Sequence, residues 1–248
     1  MNQLNINKHK KNGVNIIDIK NVYIDDDVKI GIGTTVEPGV HIKNGSQIGK
    51  NVIIRPNSQI SNSVISDNCE IDGAIIRDSE ISNNVFAGTN SLIRDGSYIK
   101  KYCRIGNLVE IKNSIIGEKS TISHFSYIGD STIGENVNIG ASTVTCNYDG
   151  EKKHRTVIEK GAFIGAGSMI IAPVTIGKNA KTGAGSVIRK DVLSNDIVAG
   201  VPAKSIKWCF YKIMISKFEK INEKEEPPHT CINFYIYTIG DITGGRIA

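Results

Sequence analysis

The sequence predicts a mainly β chain wound as a parallel solenoid of triangular coils, and three observations carry that expectation. First, its 248 residues include 43 Ile and 17 Val against 4 Leu and 11 Ala, an inversion of the usual apolar ranking. β-Branched side chains favour pleated surfaces and Leu and Ala favour helices, so a helix bundle or a helix-rich α/β fold is excluded. Second, Ile24, Ile30, Val36, Ile42, Ile48, Ile54 and Ile60 recur six apart without interruption. A period of six fits neither a helix nor a hairpin meander. It fits one short strand and one corner per hexad, with three hexads closing a coil and Ile stacked over Ile between coils. Third, Gly follows the inward residue at Ile30, Ile48, Ile105, Ile128, Ile164 and Ile176, which reinforces the six-residue unit.

In chain order, residues 1–22 are a lead-in, 23–200 the solenoid and 201–248 a separate tail. The period slips by five at Ile65, Ile76, Ile81 and Ile116 and continues through Ile93, Ile99, Ile105, Ile111, Ile122, Ile128, Ile133 and Ile139. It breaks in a polar stretch, 145–156, and resumes at Ile158, Ile164, Ile170, Ile176 and, past Thr182, Ile188. Roughly nine coils from Tyr23 to Asp191 are expected. Small residues two places before the inward Ile (Ser46, Ser58, Cys69, Ser97 and Cys103) suit tight corners, so both cysteines read as core filler. From Ala203 to Glu226, Ile206, Phe210, Ile213, Phe218 and Ile221 recur among lysines, which predicts a basic amphipathic C-terminal helix stopped by Pro227-Pro228. Capping the last coil is its expected task, and membrane-surface contact the lesser reading. CINFYIYTIGDITGGRIA, 231–248, is β-prone and has no assignment.

Composition narrows the function classes. The net charge of +5 comes from interspersed Lys, Asp and Glu with no long basic block, so nucleic-acid binding is not expected. No apolar run is long enough to span a membrane, and the first residues do not form a secretory signal. Five scattered cysteines fit neither a disulfide framework nor a zinc site, which points to a cytoplasmic location. No histidine spacing suits a metal trio, so no metal is expected. Among the five histidines, His9 and His229 lie in the flanks, His41 turns outward beside Ile42, and His154 belongs to the break. His124 stands two residues after inward Ile122, at a corner rather than in a core column. The break itself carries Asn147, Tyr148, Lys152, Lys153, His154 and Arg155, equipment suited to a phosphorylated ligand.

The hexads carry the signature of the left-handed parallel β-helix acyltransferases, and the left hand is implied by that resemblance. GNLVEIKNS, ISHFSYIGDSTIGENVNIGASTVTCNYDGEKKHRTVI and FIGAGSMIIAPVTIGKNAKTGAGSVIRKDV further resemble the C-terminal half of the GlmU family. Its members are bifunctional glucosamine-1-phosphate acetyltransferases and N-acetylglucosamine-1-phosphate uridyltransferases. The similarity runs from about Gly13 to about Val192, and the uridyltransferase half, with its Gly-rich nucleotide loop, has no counterpart before Tyr23.

The resemblance implies that acetyl passes from acetyl-CoA, a co-substrate with no bound cofactor, to the amine of glucosamine 1-phosphate. His124 matches the catalytic base, and Glu110, 14 residues earlier, is a candidate to orient it. Arg94 and Lys112 match ligand-holding cations, and Tyr127, Asn138 and Lys153 further sugar-phosphate contacts. Ala141, Asn147, Tyr148, Ala166 and Ala184 match positions at the acetyl-CoA site, Ala166 where the family often has Ser. Gly200 stands where the family presents an Arg to the coenzyme phosphates, a contact Lys204 or Lys207 is placed to replace. A homotrimer with sites between subunits is implied, and Cys146 reads as a loop residue, so transfer is direct. Two alternatives stay open: an acyltransferase acting on another amino sugar or sugar nucleotide, and a non-catalytic trimeric scaffold or regulatory subunit.

Overall fold

The computed structural model describes residues 3–206. Strands of two to four residues form three sheets of 12, 10 and 9 strands, one per face of a triangular prism. Each strand pairs in parallel with those one coil before and after it: Thr121–His124 lies between Arg104–Asn107 and Asn138–Ile139. The result is a parallel β-helix of about ten turns, in keeping with the left-handed solenoid expected. We call the faces first, second and third, represented in one coil by Thr121–His124, Tyr127–Gly129 and Ser131–Ile133.

Alternation within the short strands buries one residue per face. On the second face Ile42, Ile60, Ile76, Ile93, Ile111 and Ile128 stack with essentially no exposure. Each such side chain contributes about 1.5–3 kcal/mol by leaving water. The small residues expected at corners are buried too, and desolvation pushes the Cys69 and Cys103 thiols up to about 11. Neither is a thiolate at neutral pH, as core filler should be.

Corners demand a left-handed backbone residue. Among the described residues, 14 of the 19 non-glycine residues with positive φ are Asn or Asp, whose short polar side chains tolerate that conformation. The slips by five have a local cause. At Asn62, Asp78, Asn113 and Asp130, with φ of 45–48°, the chain turns from one face to the next with one residue fewer.

Three departures from expectation follow. Winding starts at Asn15–Ile16, before Tyr23, because Ile16 pairs beside Val36 although it is out of phase with Ile24. The lead-in contains a helix, α1 (Gln3–Lys11), whose Ile6 and His9 are buried and whose Asn5 Nδ2 donates to the Asp25 carbonyl at 3.0 Å. Cationic Lys8, Lys10 and Lys11 end α1 where the helix dipole favours them. Finally, the repeat does not break at 145. Thr145 takes the inward position, fully buried, and its Oγ1 accepts the Gly129 N–H at 2.8 Å.

The first face closes with Ile197–Ala199 and, antiparallel to it, Lys204–Ser205. Those two residues are strand where helical spacing had been expected to begin. The amphipathic helix and the 231–248 segment lie outside the described residues, as does Lys207.

Candidate active site

The second face brings Arg94, Glu110, Lys112 and Tyr127 together. Arg94 and Lys112 pair in register one coil apart, and Glu110 pairs with Tyr127 in the next. Inward Ile93, Ile111 and Ile128 leave these neighbours pointing outward. Arg94 donates from Nε at 3.0 Å and from Nη2 at 2.6 Å to Glu110 Oε1, and its Nη1 reaches Asp95 at 2.7 Å. Lys112 Nζ lies 3.5 Å from the same Asp95 carboxylate. Tyr127 lies across the Cα of Gly129, where any Cβ would meet its ring, so the glycine leaves room for the phenol beside Lys112.

Lys153 joins this cluster from the insertion. The Lys112 side chain lies close to it, and that contact and its like charge hold the Lys153 ammonium below the ordinary lysine range. Three cations on one open face, with only part of their charge balanced by Glu110 and Asp95, make a cradle for a dianion such as a phosphate ester.

His124 stands at the edge between the first and second faces. The same edge position in successive coils holds Asn107, His124, Ala141, Ala166 and Ala184. Hydrogen bonds tie them: Phe125 N donates to Asn107 O, Ser142 N to His124 O, Gly167 N to Ala141 O and Gly185 N to Ala166 O, at 2.7–3.3 Å. His124 thus heads an edge column continued by three alanines, with the cation cluster on the adjoining second face. Phe125 beside it is 62% exposed yet left-handed at φ 49°, and Leu108 one coil earlier repeats this at φ 58°. Bulky residues pay for that conformation, and such strain gathers at functional sites.

The insertion is a hairpin at the other edge of the second face. Tyr148 and Lys153 pair across it, Asp149 N donates to Lys152 O, and Tyr148 Oη to Gly150 O at 2.6 Å. Asp149 Oδ1 accepts the N–H groups of Glu151 and Lys152, and Oδ2 meets His154 Nε2 at 2.5 Å. Backbone donors, chiefly Lys152 N–H, then His154, hold Asp149 well below the usual carboxylate range.

Not every expected residue converges. Glu110 is bound to Arg94 rather than to the His124 imidazole, and it belongs to the second face whereas His124 ends a strand of the first. Asn138 lies on the first face, paired with Thr121 and Phe163, apart from the cation cluster. Asn147 is buried and donates to Asp130, while Tyr148 is 61% exposed; both sit an edge away from the alanine column. Gly200 is in a left-handed turn, φ 99°, and brings no charge. Cys146 ends the strand Val144–Cys146, half-buried, with burial pushing its thiol up. Sequence reasoning missed Asp130, Asp95, Phe125 and Leu108; a bulky residue where the corner pattern calls for Asn or Gly was the available signal for the last two. A groove of about 570 Å³ on the third face, lined by Gln47, Val64, Glu80 and Tyr98 among others, holds none of these residues.

The repeat matches the bacterial transferase hexapeptide (six repeats) model over residues 21–62 and 155–190, which marks those coils as hexapeptide repeats. Residues 54–138 match the GlmU-like, C-terminal hexapeptide model. The chain belongs to that GlmU-like hexapeptide family. It is 48% identical over 193 residues to the bifunctional protein GlmU of Thermosipho africanus, covering 78% of this chain and 43% of the relative. With bifunctional protein GlmU of Thermotoga maritima it shares 47% over 204 residues, 82% of this chain and 46% of the relative. The chain therefore spans less than half the length of the curated relatives it matches. An Arabidopsis UDP-N-acetylglucosamine acyltransferase structure has the same fold, with a TM-score of 0.63 over 86% of each chain at 18% identity. No described helix is long and apolar enough to cross a membrane.

Proposed function

We propose that this chain is a glucosamine-1-phosphate N-acetyltransferase that uses acetyl-CoA. One arrangement supports the reading: His124 heads the alanine column at one edge of the second face, and the cation cluster lies on that same face. A sugar phosphate on Arg94, Lys112 and Lys153 and a pantetheine along Ala141, Ala166 and Ala184 converge on its imidazole. The attacking amine must be neutral, since an ammonium has no lone pair. His124 takes the proton as nitrogen bonds to the thioester carbonyl carbon. The C–S bond then breaks, and the leaving sulfur takes up a proton to become the free coenzyme thiol. A positioned base of this kind contributes about 10²–10⁴ in rate. No acyl-enzyme is needed, in accord with the protonated Cys146.

The separation of Asn147 and Tyr148 from the alanine column supports a homotrimer. Each hairpin lies at one edge of its own prism and the column at another, so three-fold packing lets one subunit's Tyr148 complete a neighbour's coenzyme site. The small-molecule substrates and the soluble chemistry fit the cytoplasmic location expected. The test is thiol release from acetyl-CoA with glucosamine 1-phosphate as acceptor. His124→Ala is expected to lose at least 10²-fold in kcat with an unchanged melting temperature; full turnover by this variant would remove His124 from the chemistry. Faster turnover of another amino sugar would reassign the acceptor, and no coenzyme binding in calorimetry would favour a scaffold.

A further inference from the structure

Asp130 occupies a five-residue corner between the second and third faces, left-handed at φ 48° and 8% exposed. Its Oδ1 accepts from Asn113 Nδ2 at 2.5 Å and its Oδ2 from Asn147 Nδ2. Its carbonyl accepts the Thr156 N–H at 3.3 Å, and its own N–H donates to the Lys112 carbonyl at 3.0 Å. One residue therefore grips the hairpin where it leaves the solenoid, at Asn147, and where it returns, at Thr156. The same residue is bonded to the strand that presents Lys112.

Two neutral amides satisfy the carboxylate's lone pairs without neutralising it, and no described cation pairs with it within 4.0 Å. A buried carboxylate is costly unless its oxygens are hydrogen-bonded, and here the two amides of the clasp do that. The charged groups around Lys153 are Lys112, Asp130 and Arg94, and Lys112 in turn faces Asp95 and the Tyr127 phenol. Asp130 is the member of this set that favours the charged form of Lys153.

We infer that Asp130 is a positioning residue for the site: it clasps the 147–155 hairpin, and Lys153 with it, to the solenoid beside the strand that presents Lys112. This rests on the acetyltransferase reading for its catalytic consequence, though not for the clasp itself. Asp130→Asn is the informative variant, because Asn suits this left-handed corner yet turns an amide donor against the amide of Asn113 or Asn147.

Limited trypsin digestion followed by mass spectrometry reads the clasp without any turnover. Cleavage after Lys152, Lys153 and Arg155 is expected to accelerate about tenfold in the variant, the loss appropriate to a charged hydrogen bond. Steady-state kinetics should show KM for glucosamine 1-phosphate raised about tenfold, and the alkaline limb of kcat/KM moved to lower pH as Lys153 loses its proton earlier. In a Lys153→Gln background that limb shift should vanish, which a merely structural role would not produce. Asn147→Ser, which removes the clasp's other half, serves if Asp130→Asn does not fold, with the same faster cleavage expected. A folded variant with unchanged cleavage, KM and pH limb overturns the inference. Faster cleavage in a protein whose wild type releases no thiol leaves the clasp standing and rejects the acetyltransferase reading instead.

Discussion

Gly106→Ala tests how tightly the coil spacing governs the catalytic edge. Gly106 has no positive φ, so its backbone accepts alanine, and the stiffer unfolded chain would favour the variant by about 0.4–1 kcal/mol. Space forbids it. An added Cβ would run into the carbonyl oxygen of Ser123, with Ser123 C at 2.6 Å and Cα at 3.0 Å. Comfortable carbon–carbon contact begins near about 3.5 Å, so the strand ending in His124 must retreat by about 0.9 Å for the carbons alone, and the nearer oxygen demands more. Overpacking of this kind costs about 1–3 kcal/mol, leaving a net loss of about 1–2 kcal/mol. For a chain of this size the melting temperature should fall by about 2–8 °C. A reacting group displaced by nearly 1 Å costs on the order of 10²-fold in rate. Thermal unfolding by circular dichroism and thiol release from acetyl-CoA measure the two effects. A variant with wild-type melting temperature and wild-type kcat would refute the claim that this glycine sets the His124 position.

Phe125→Asn replaces a bulky left-handed residue by one suited to the corner and should stabilise the fold by about 1 kcal/mol, raising the melting temperature by about 2–4 °C; a lower value in calorimetry would show that the exposed ring packs in solution. Lys112→Met removes the close like charge that depresses Lys153. Lys153 then keeps its proton to higher pH, so the alkaline limb of kcat/KM for the sugar phosphate should move upward even as binding weakens; an unmoved limb would assign that ionisation to another group.

The solenoid and its inward residues were legible because Ile is both the strand former and the column filler, so one residue type repeats at the period of the fold. Thr145 was not, since the search for apolar residues passes over an inward hydroxyl. Its Oγ1 replaces a ladder bond to the Gly129 N–H where the strand pairing lapses. α1 escaped notice because only two of its nine residues are apolar, and it buries Asn5 and His9 instead. At the site, register put His124 at a corner and turned Arg94 and Lys112 outward, and their expected roles came from the family resemblance. Glu110 was misjudged because side chains on a solenoid meet their neighbours one coil up or down on the same face. Arg94 lies on the coil below, two residues along the same face, and its guanidinium reaches back to Glu110, whereas the histidine 14 residues ahead belongs to another face. The clasp at Asp130 was illegible for a related reason: its partners Asn113 and Asn147 are both 17 residues away, the length of one coil.

Along the chain the first residue of the candidate site, Arg94, is reached only after four second-face strands, from Tyr23–Ile24 to Ile75–Arg77. With about 4.8 Å between coils, those turns raise the catalytic edge by about 19 Å while contributing no group to it. Lys29 pairs with Gln47 and His41 with Gln59, each 18 residues on. The stem is thus interchangeable in whole coils, and its height can change only in steps of about 4.8 Å, each leaving the chemistry above it untouched.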